Sequence, residues 1–255
     1  NAEMNDMTIT AAYYRGDKSF AVEQTKAQAP GPGEASIRVA YCGICGTDMH
    51  VYHGNMDARV GLNRIIGHEM SGTVEAVGVG VSGFNEGDRV FGRVRGAHAE
   101  AVDCDPDHLM LLPDNLSFAQ GAAIPVGWLT AWHALHTVGR MKAGDRILVE
   151  AVGGSVGSAA LALAKQAGCW AVGTASRDDK LAHATSMGCD AVVNYTRDSV
   201  SQQVAALTDG QGMDIGLMTI GDATADELID SMGMDGRVVM FGSTGGRDIT
   251  FNLRI

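Results

Sequence analysis

Basic charge, aromatic side chains and proline are all scarce in this sequence, and each shortage excludes something. Nineteen Lys and Arg face 30 Asp and Glu for a formal charge of −11, so no basic field exists to recruit nucleic acid or an anionic membrane surface. No apolar run approaches membrane-spanning length, which leaves no expected membrane partner. Residues 1–7 lack a basic stretch followed by an apolar one, so no secretory signal is read. The five cysteines, odd in number and irregularly spaced, do not form a disulfide framework and are expected as reduced thiols in the cytoplasm. Only 5 prolines, against 34 glycines and 45 % hydrophobic residues, argue for a loop-rich globular α/β protein rather than disorder. At 255 residues two domains are expected, and a small neutral molecule is the natural substrate.

The hydrophobic rhythm changes along the chain. Up to about residue 101 the segments ITAAYY, ASIRVAYC, SGTVEAVG, GDRVFG and AHAEAV are short, β-like and bounded by Gly, Asp or Pro. From residue 145 an apolar strand, a glycine turn and a helix alternate, as in parallel βαβ units. Strands are expected at 146–151, 170–175, 191–193, 213–219 and 237–241, and helices at 155–167, 178–187, 199–208 and 223–232. The apolar stretch 118–138 reads as one helix joining the halves, with Trp128 and Trp132 either lining an apolar pocket or, as is commoner on a connecting helix, serving as core side chains. The expected domains are a β-rich unit at 1–122 and a doubly wound parallel sheet at 123–255.

Chemistry concentrates in residues 43–50, GICGTDMH, and in Gly67-His68-Glu69. Cys45, His68 and Glu69 offer a thiolate, an imidazole and a carboxylate to one borderline-soft metal such as zinc. Asp48 either accepts the second ring proton of a ligating histidine or caps the following turn. Thr47 and His50 supply a hydroxyl and an ionisable ring that together can carry a proton from an alcohol to solvent. Cys42, Cys104, Cys169 and Cys189 lack ligand-like spacing and read as packing residues.

After the strand RILVEA comes VGGSVG, residues 152–157, one residue short of GxGxxG because Val152 holds the first glycine's place. Gly154, Ser155, Val156 and Gly157 would bring a helix N-terminus to a pyrophosphate, the two glycines allowing close approach of backbone and helix. The next strand ends VGTASRDDK, and Ala175 stands where an NAD enzyme keeps a carboxylate for the ribose diol. Ser176 and Arg177 suit the 2′-phosphate of NADP instead, although Arg177 and Lys180 are also read as a solvated face beside Asp178 and Asp179.

From Thr8 to Phe251 the sequence resembles the zinc-containing medium-chain alcohol dehydrogenases, above all in GICGTDMH, GHE and the GTVEAVG that follows. The resemblance implies a GroES-like β-rich catalytic domain followed by a Rossmann domain. It implies Cys45 and His68 as ligands of one catalytic zinc, Glu69 as the carboxylate beside it, Thr47 and His50 as the proton relay, and Lys180 and Tyr195 as further partners of the NADP phosphate. Two departures stand out. The family's third zinc ligand falls at Val126, in PVGWLTAWHAL, and the lobe of four cysteines that holds a structural zinc is missing. The family also continues beyond FGSTGG with a sixth strand that pairs subunits in relatives, so a homo-oligomer is left open. The expected function is therefore NADP-dependent, zinc-assisted interconversion of an alcohol with an aldehyde or ketone. The alternatives are a metal-free NADPH quinone or enoyl reductase and a non-catalytic dinucleotide-binding protein.

Overall fold

A computed structural model describes residues 7–242, 244–245 and 248–250, and divides the chain into two compact units, Asn1–Val126 and Gly127–Ile255. The division falls four residues beyond the expected boundary.

In the first unit, β1 (Thr8–Gly16) pairs antiparallel with β2 (Ser19–Lys26), and its other edge meets the short β4 (Arg64–Ile65). A five-stranded antiparallel sheet joins β3 (Ala35–Cys42), β5 (Met70–Val77), β6 (Arg89–Gly92), β7 (Ala101–Cys104) and β8 (Leu109–Leu111) in the order β7-β3-β5-β6-β8. Its core gathers Ile37, Met70, Val74, Val90 and Leu109. The unit also contains helices α1 (Gly46–Tyr52) and α2 (Asp57–Val60), where only β segments were read up to residue 101, and α3 (Phe118–Ala122), in the stretch where a helix was expected. In AHAEAV only the last two residues enter a strand, with Ala99 making an isolated bridge to Ala11.

The long helix expected at 118–138 is broken. α3 ends at Ala122, α4 (Pro125–Trp132) starts afresh, and a π-helical turn, His133–Val138, follows. Pro125 explains the break: it lacks an N–H and its ring clashes with a preceding turn, so it can open a helix but not continue one. Trp128 and Trp132 are 42 % and 53 % exposed, so the expectation that they are core side chains fails. An indole has a polar N–H and a large ring, and a helix face left open can carry it without a buried partner.

The second unit is a parallel sheet in the order β11-β10-β9-β12-β13, built from β9 (Arg146–Val149), β10 (Trp170–Ala175), β11 (Ala191–Asn194), β12 (Met213–Met218) and β13 (Met232–Met240). Between the strands run α5 (Ser155–Gln166), α6 (Asp178–Ser186), α7 (Val200–Leu207) and α8 (Asp222–Asp230). The elements match the expected ones within a few residues, except that β13 starts five residues early. Alternation along β9 shows why its residues after Arg146 are all apolar. Ile147 and Val149 pack with Ala159, Ala160 and Leu163 of α5, whereas Leu148 faces Val200 and Val204 of α7 and Leu228 of α8. A strand covered on both faces needs no polar alternation. Among the described residues no helix is long and apolar enough to cross a membrane.

Candidate functional site

Strand β3 delivers Cys42 to the turn Gly43-Ile44-Cys45, and Cys45 becomes the N-cap of α1. Its Sγ accepts the Thr47 N–H at 3.2 Å, while the Asp48 carboxylate reaches back to the Cys45 N–H at 2.9 Å. Two helix-end donors are thus satisfied reciprocally, which fixes both side chains. The other strand of the site is β5, preceded by Gly67-His68-Glu69. Gly67 sits at φ +89°, and a Cβ there would lie 2.5 Å from His98 Cδ2 and 2.8 Å from its backbone nitrogen, so only glycine allows this turn.

These two turns bring His68 between its neighbours. Its Nε2 lies 2.9 Å from Cys45 Sγ, and its Nδ1 lies 3.5 Å from an oxygen of Asp48, whose side chain is 5 % exposed. The hydrogen bond to Asp48, and then that to Cys45, push the His68 pKa up to about 10. Burial alone would raise the Asp48 carboxyl, but His68, the Cys45 N–H and the charge of His98 together hold it below the usual carboxylate range. Burial, reinforced by the charge of Asp48, pushes the neighbouring Cys42 thiol up to about 12, which marks it as an inert packing residue. Cys104, Cys169 and Cys189 are buried, and all five thiols are free.

Among the described residues, Cys45, Asp48 and His68 form the one group whose ligand atoms all lie within 4.8 Å of one another. Glu69 is not in it. Its carboxylate is held by the backbone N–H of Val126, and burial raises its pKa. A soft sulfur, an imidazole and a carboxylate make a donor set suited to zinc. Tetrahedral ligands at zinc keep sulfur and nitrogen about 3.5 Å apart, so the Cys45–His68 pair would have to open by only about 0.6 Å. The Asp48 carboxylate both faces Nδ1 of the His68 ring and completes the cap of α1. Thr47 is exposed and His50 half-buried, one helical turn apart on α1, with no hydrogen bond joining them among the described residues.

In the second unit, Gly154 caps α5. A Cβ on Gly157 would meet Ala151 O at 2.4 Å and Val152 Cα at 2.8 Å, so the helix lies directly against the turn that feeds it. Val152 is 1 % exposed and fills the space over Gly173, where a Cβ would come within 2.8 Å of it. A valine in the first glycine's place therefore packs inward. Ser155 and Val156 open α5, presenting its first-turn N–H groups. Ser176 and Arg177 follow β10, and the Lys180 stem lies over Gly153. The Arg177 guanidinium forks the Asp179 carboxylate at 2.7 and 2.9 Å, both side chains being exposed. Tyr195 follows β11 and packs on the core beneath α7 and α8.

Two polar residues escaped sequence reasoning. His98 lies against Gly67 with its Nε2 buried and without a hydrogen-bond partner among the described residues. Glu150 is 3 % exposed, with one carboxylate oxygen bound to the Thr219 and Ile220 N–H groups at 2.8 and 3.1 Å and the other unpartnered among the described residues. The signal for Glu150 was legible: an acid closing an otherwise apolar parallel strand in RILVEA.

The pattern of the alcohol dehydrogenase GroES-like domain matches residues 31–124, and that of zinc-binding dehydrogenases matches residues 155–254. A quinone oxidoreductase of Pseudomonas aeruginosa is 31 % identical over 97 % of this chain and 76 % of its own length. The chain belongs to the medium-chain dehydrogenase/reductase family. Its class is that of NAD(P)-dependent oxidoreductases, with the GroES-like and Rossmann architecture the sequence implied. A 2-dehydro-3-deoxy-L-galactonate 5-dehydrogenase of Pseudoalteromonas atlantica is 32 % identical over 90 % of this chain and 75 % of that protein. A mycocerosic acid synthase-like polyketide synthase of Mycobacterium tuberculosis is 34 % identical over 89 % of this chain, which spans only 11 % of that much longer protein. Among solved structures, a quinone oxidoreductase of Pseudomonas syringae pv. Tomato DC3000 superposes with TM-score 0.87 at 31 % identity, covering 94 % of this chain and 75 % of that one. An NAD-dependent alcohol dehydrogenase superposes with TM-score 0.87 at 30 % identity, covering 93 % and 78 %.

Proposed function

We propose that this medium-chain family member is an NADP-dependent, zinc-assisted alcohol dehydrogenase or carbonyl reductase acting on a small alcohol, aldehyde or ketone. The observation that carries the reading is His68, with one ring nitrogen 2.9 Å from Cys45 Sγ and the other facing the buried Asp48 carboxylate. That pairing is how proteins fix the tautomer and aim of a metal-ligating histidine. Cys45 and His68 would hold the metal and Asp48 would orient the ring; when bound, zinc polarises the substrate oxygen and the nicotinamide exchanges hydride with the substrate carbon. The exposed Thr47 hydroxyl and the half-buried His50 ring, one turn apart on α1, would carry the substrate proton to water once a bound substrate or an intervening water links them. NADP is favoured over NAD because Ala175, 2 % exposed, ends β10 where a ribose-binding acid would stand, with Ser176, Arg177 and Lys180 following in sequence and Tyr195 just past the end of the adjacent β11 to meet a phosphate. For that, Arg177 must exchange its exposed partner Asp179, a pair worth little in water. Cys45→Ser should abolish zinc content and alcohol oxidation while sparing cofactor binding; undiminished turnover would overturn the assignment.

A second reading, a metal-free NADPH reductase of quinones or activated double bonds, is favoured by Val126. Its backbone N–H engages Glu69 and its side chain cannot bind metal. The quinone oxidoreductases of Pseudomonas aeruginosa and Pseudomonas syringae among the similar proteins point the same way. Protein purified without added zinc separates the two readings, with about one zinc per chain supporting the first and none the second.

A further inference from the structure

Glu150 continues the alternation of β9, so its side chain lies on the Leu148 face, toward α7 and α8. There it lines a pocket with about 390 Å³ of free space up to and including its open mouth. Leu148, Val200 and Leu228 supply apolar wall, and Thr174 and Tyr195 supply polar groups at the ends of β10 and β11. The carboxylate is anchored rather than loose, because two backbone amides of the loop after β12 grip Oε2 and leave Oε1 buried without a partner among the described residues. A buried acceptor held in one place demands a donor.

An ion is a poor occupant. Two other acids line the pocket, Asp198 and Glu227; Glu227 is already engaged by Ser199 and Ser201, and Glu150 joins no group of close ligand atoms among the described residues. A flat heterocycle with an exocyclic amine fits better, its ring against the apolar wall and its N–H toward Oε1. The pocket lies outside the carboxyl ends of parallel strands, where nucleotides bind such sheets. It also shares Tyr195 with the residues proposed for the cofactor phosphate, and Glu150 immediately precedes the turn that leads to the α5 N-terminus.

We infer that Glu150 is the base-reading residue of the nucleotide site, accepting a hydrogen bond from the amino group of adenine and selecting amino over oxo purines. This rests on the dinucleotide reading of the second unit. Glu150→Gln makes the claim sharp. The two backbone amides need an acceptor, so the glutamine oxygen must take the place of Oε2, which turns its NH2 into the pocket and replaces an acceptor by a donor.

The test is a binding titration of NADPH and of its 6-oxo analogue, in which hypoxanthine replaces adenine, with the wild-type protein and Glu150→Gln. The wild type should prefer NADPH by about tenfold to a hundredfold, the range for losing a hydrogen bond to a charged group. Glu150→Gln should cancel or reverse that preference. Equal binding of both nucleotides by the wild type, a measurement that needs no variant to fold, would overturn the role of Glu150 and leave the dinucleotide reading intact. Discrimination that survives unchanged in Glu150→Gln would assign it to another residue and overturn the inference equally. Binding of neither nucleotide would remove the dinucleotide reading, and this inference with it.

Discussion

Replacing Gly157 by alanine sets two effects of opposite sign against each other. Within α5 the change reduces backbone freedom in the unfolded chain and favours helix by about 1 kcal/mol. Against it stands the space: the new Cβ would lie 2.4 Å from Ala151 O and 2.8 Å from Val152 Cα. Both are backbone atoms, so no rotamer change relieves the overlap. The turn has little slack, since Ala151 already sits at φ +48°, a left-handed conformation that alanine rarely adopts. Overpacking of this kind costs about 1–3 kcal/mol, and with rigid neighbours the upper part of that range applies. The net effect should be a loss of about 1–2 kcal/mol, or roughly 3–8 °C in the melting temperature of the second unit. Relief by lifting α5 off the turn also carries its N-terminal amides away from where a pyrophosphate would sit, so NADPH affinity should fall about tenfold. Calorimetry and a binding titration on the same variant read both quantities. A Gly157→Ala protein as stable as the wild type, with unchanged NADPH affinity, would refute the close approach of helix and turn.

Asp48→Asn keeps the size and the acceptor for the Cys45 N–H but removes the charge behind His68; zinc affinity, read by competition with a chelating indicator, should drop about 10–100-fold. An unchanged affinity would mean that Asp48 only caps α1. Acid stability should respond to the Arg146–Asp214 pair. The guanidinium hydrogen bonds hold Asp214 below its ordinary value, so its contribution is present above about pH 4 and is lost as pH falls through the lower folded-state value. Asp214→Asn should therefore flatten the stability-against-pH curve below about pH 4, and a parallel downward shift at every pH would contradict this.

Most of the second unit was legible because its strands carry short apolar runs and each helix is announced by glycine, serine or aspartate at its start. The break at Pro125 was written in the sequence too, but the apolar residues on either side of it hid it. In the first unit α1 was read as a turn, since seven residues beginning with glycine carry little helical signal until Cys45 and Asp48 cap each other. Cys45, His68 and Asp48 could be nominated from residue type, yet that Asp48 rather than Glu69 stands with the other two depends on a backbone amide of Val126, far along the chain. The same limit explains Glu150, whose two amide partners lie about seventy residues downstream. Long-range backbone contacts of this kind leave no periodicity to read.

The central claim is that Cys45 and His68 share one divalent ion, and zinc-edge X-ray absorption on protein purified with its native metal tests it most directly. The account predicts one sulfur at about 2.3 Å together with nitrogen or oxygen neighbours at about 2.0–2.2 Å. Absence of zinc, or a shell of light atoms without sulfur, would contradict it.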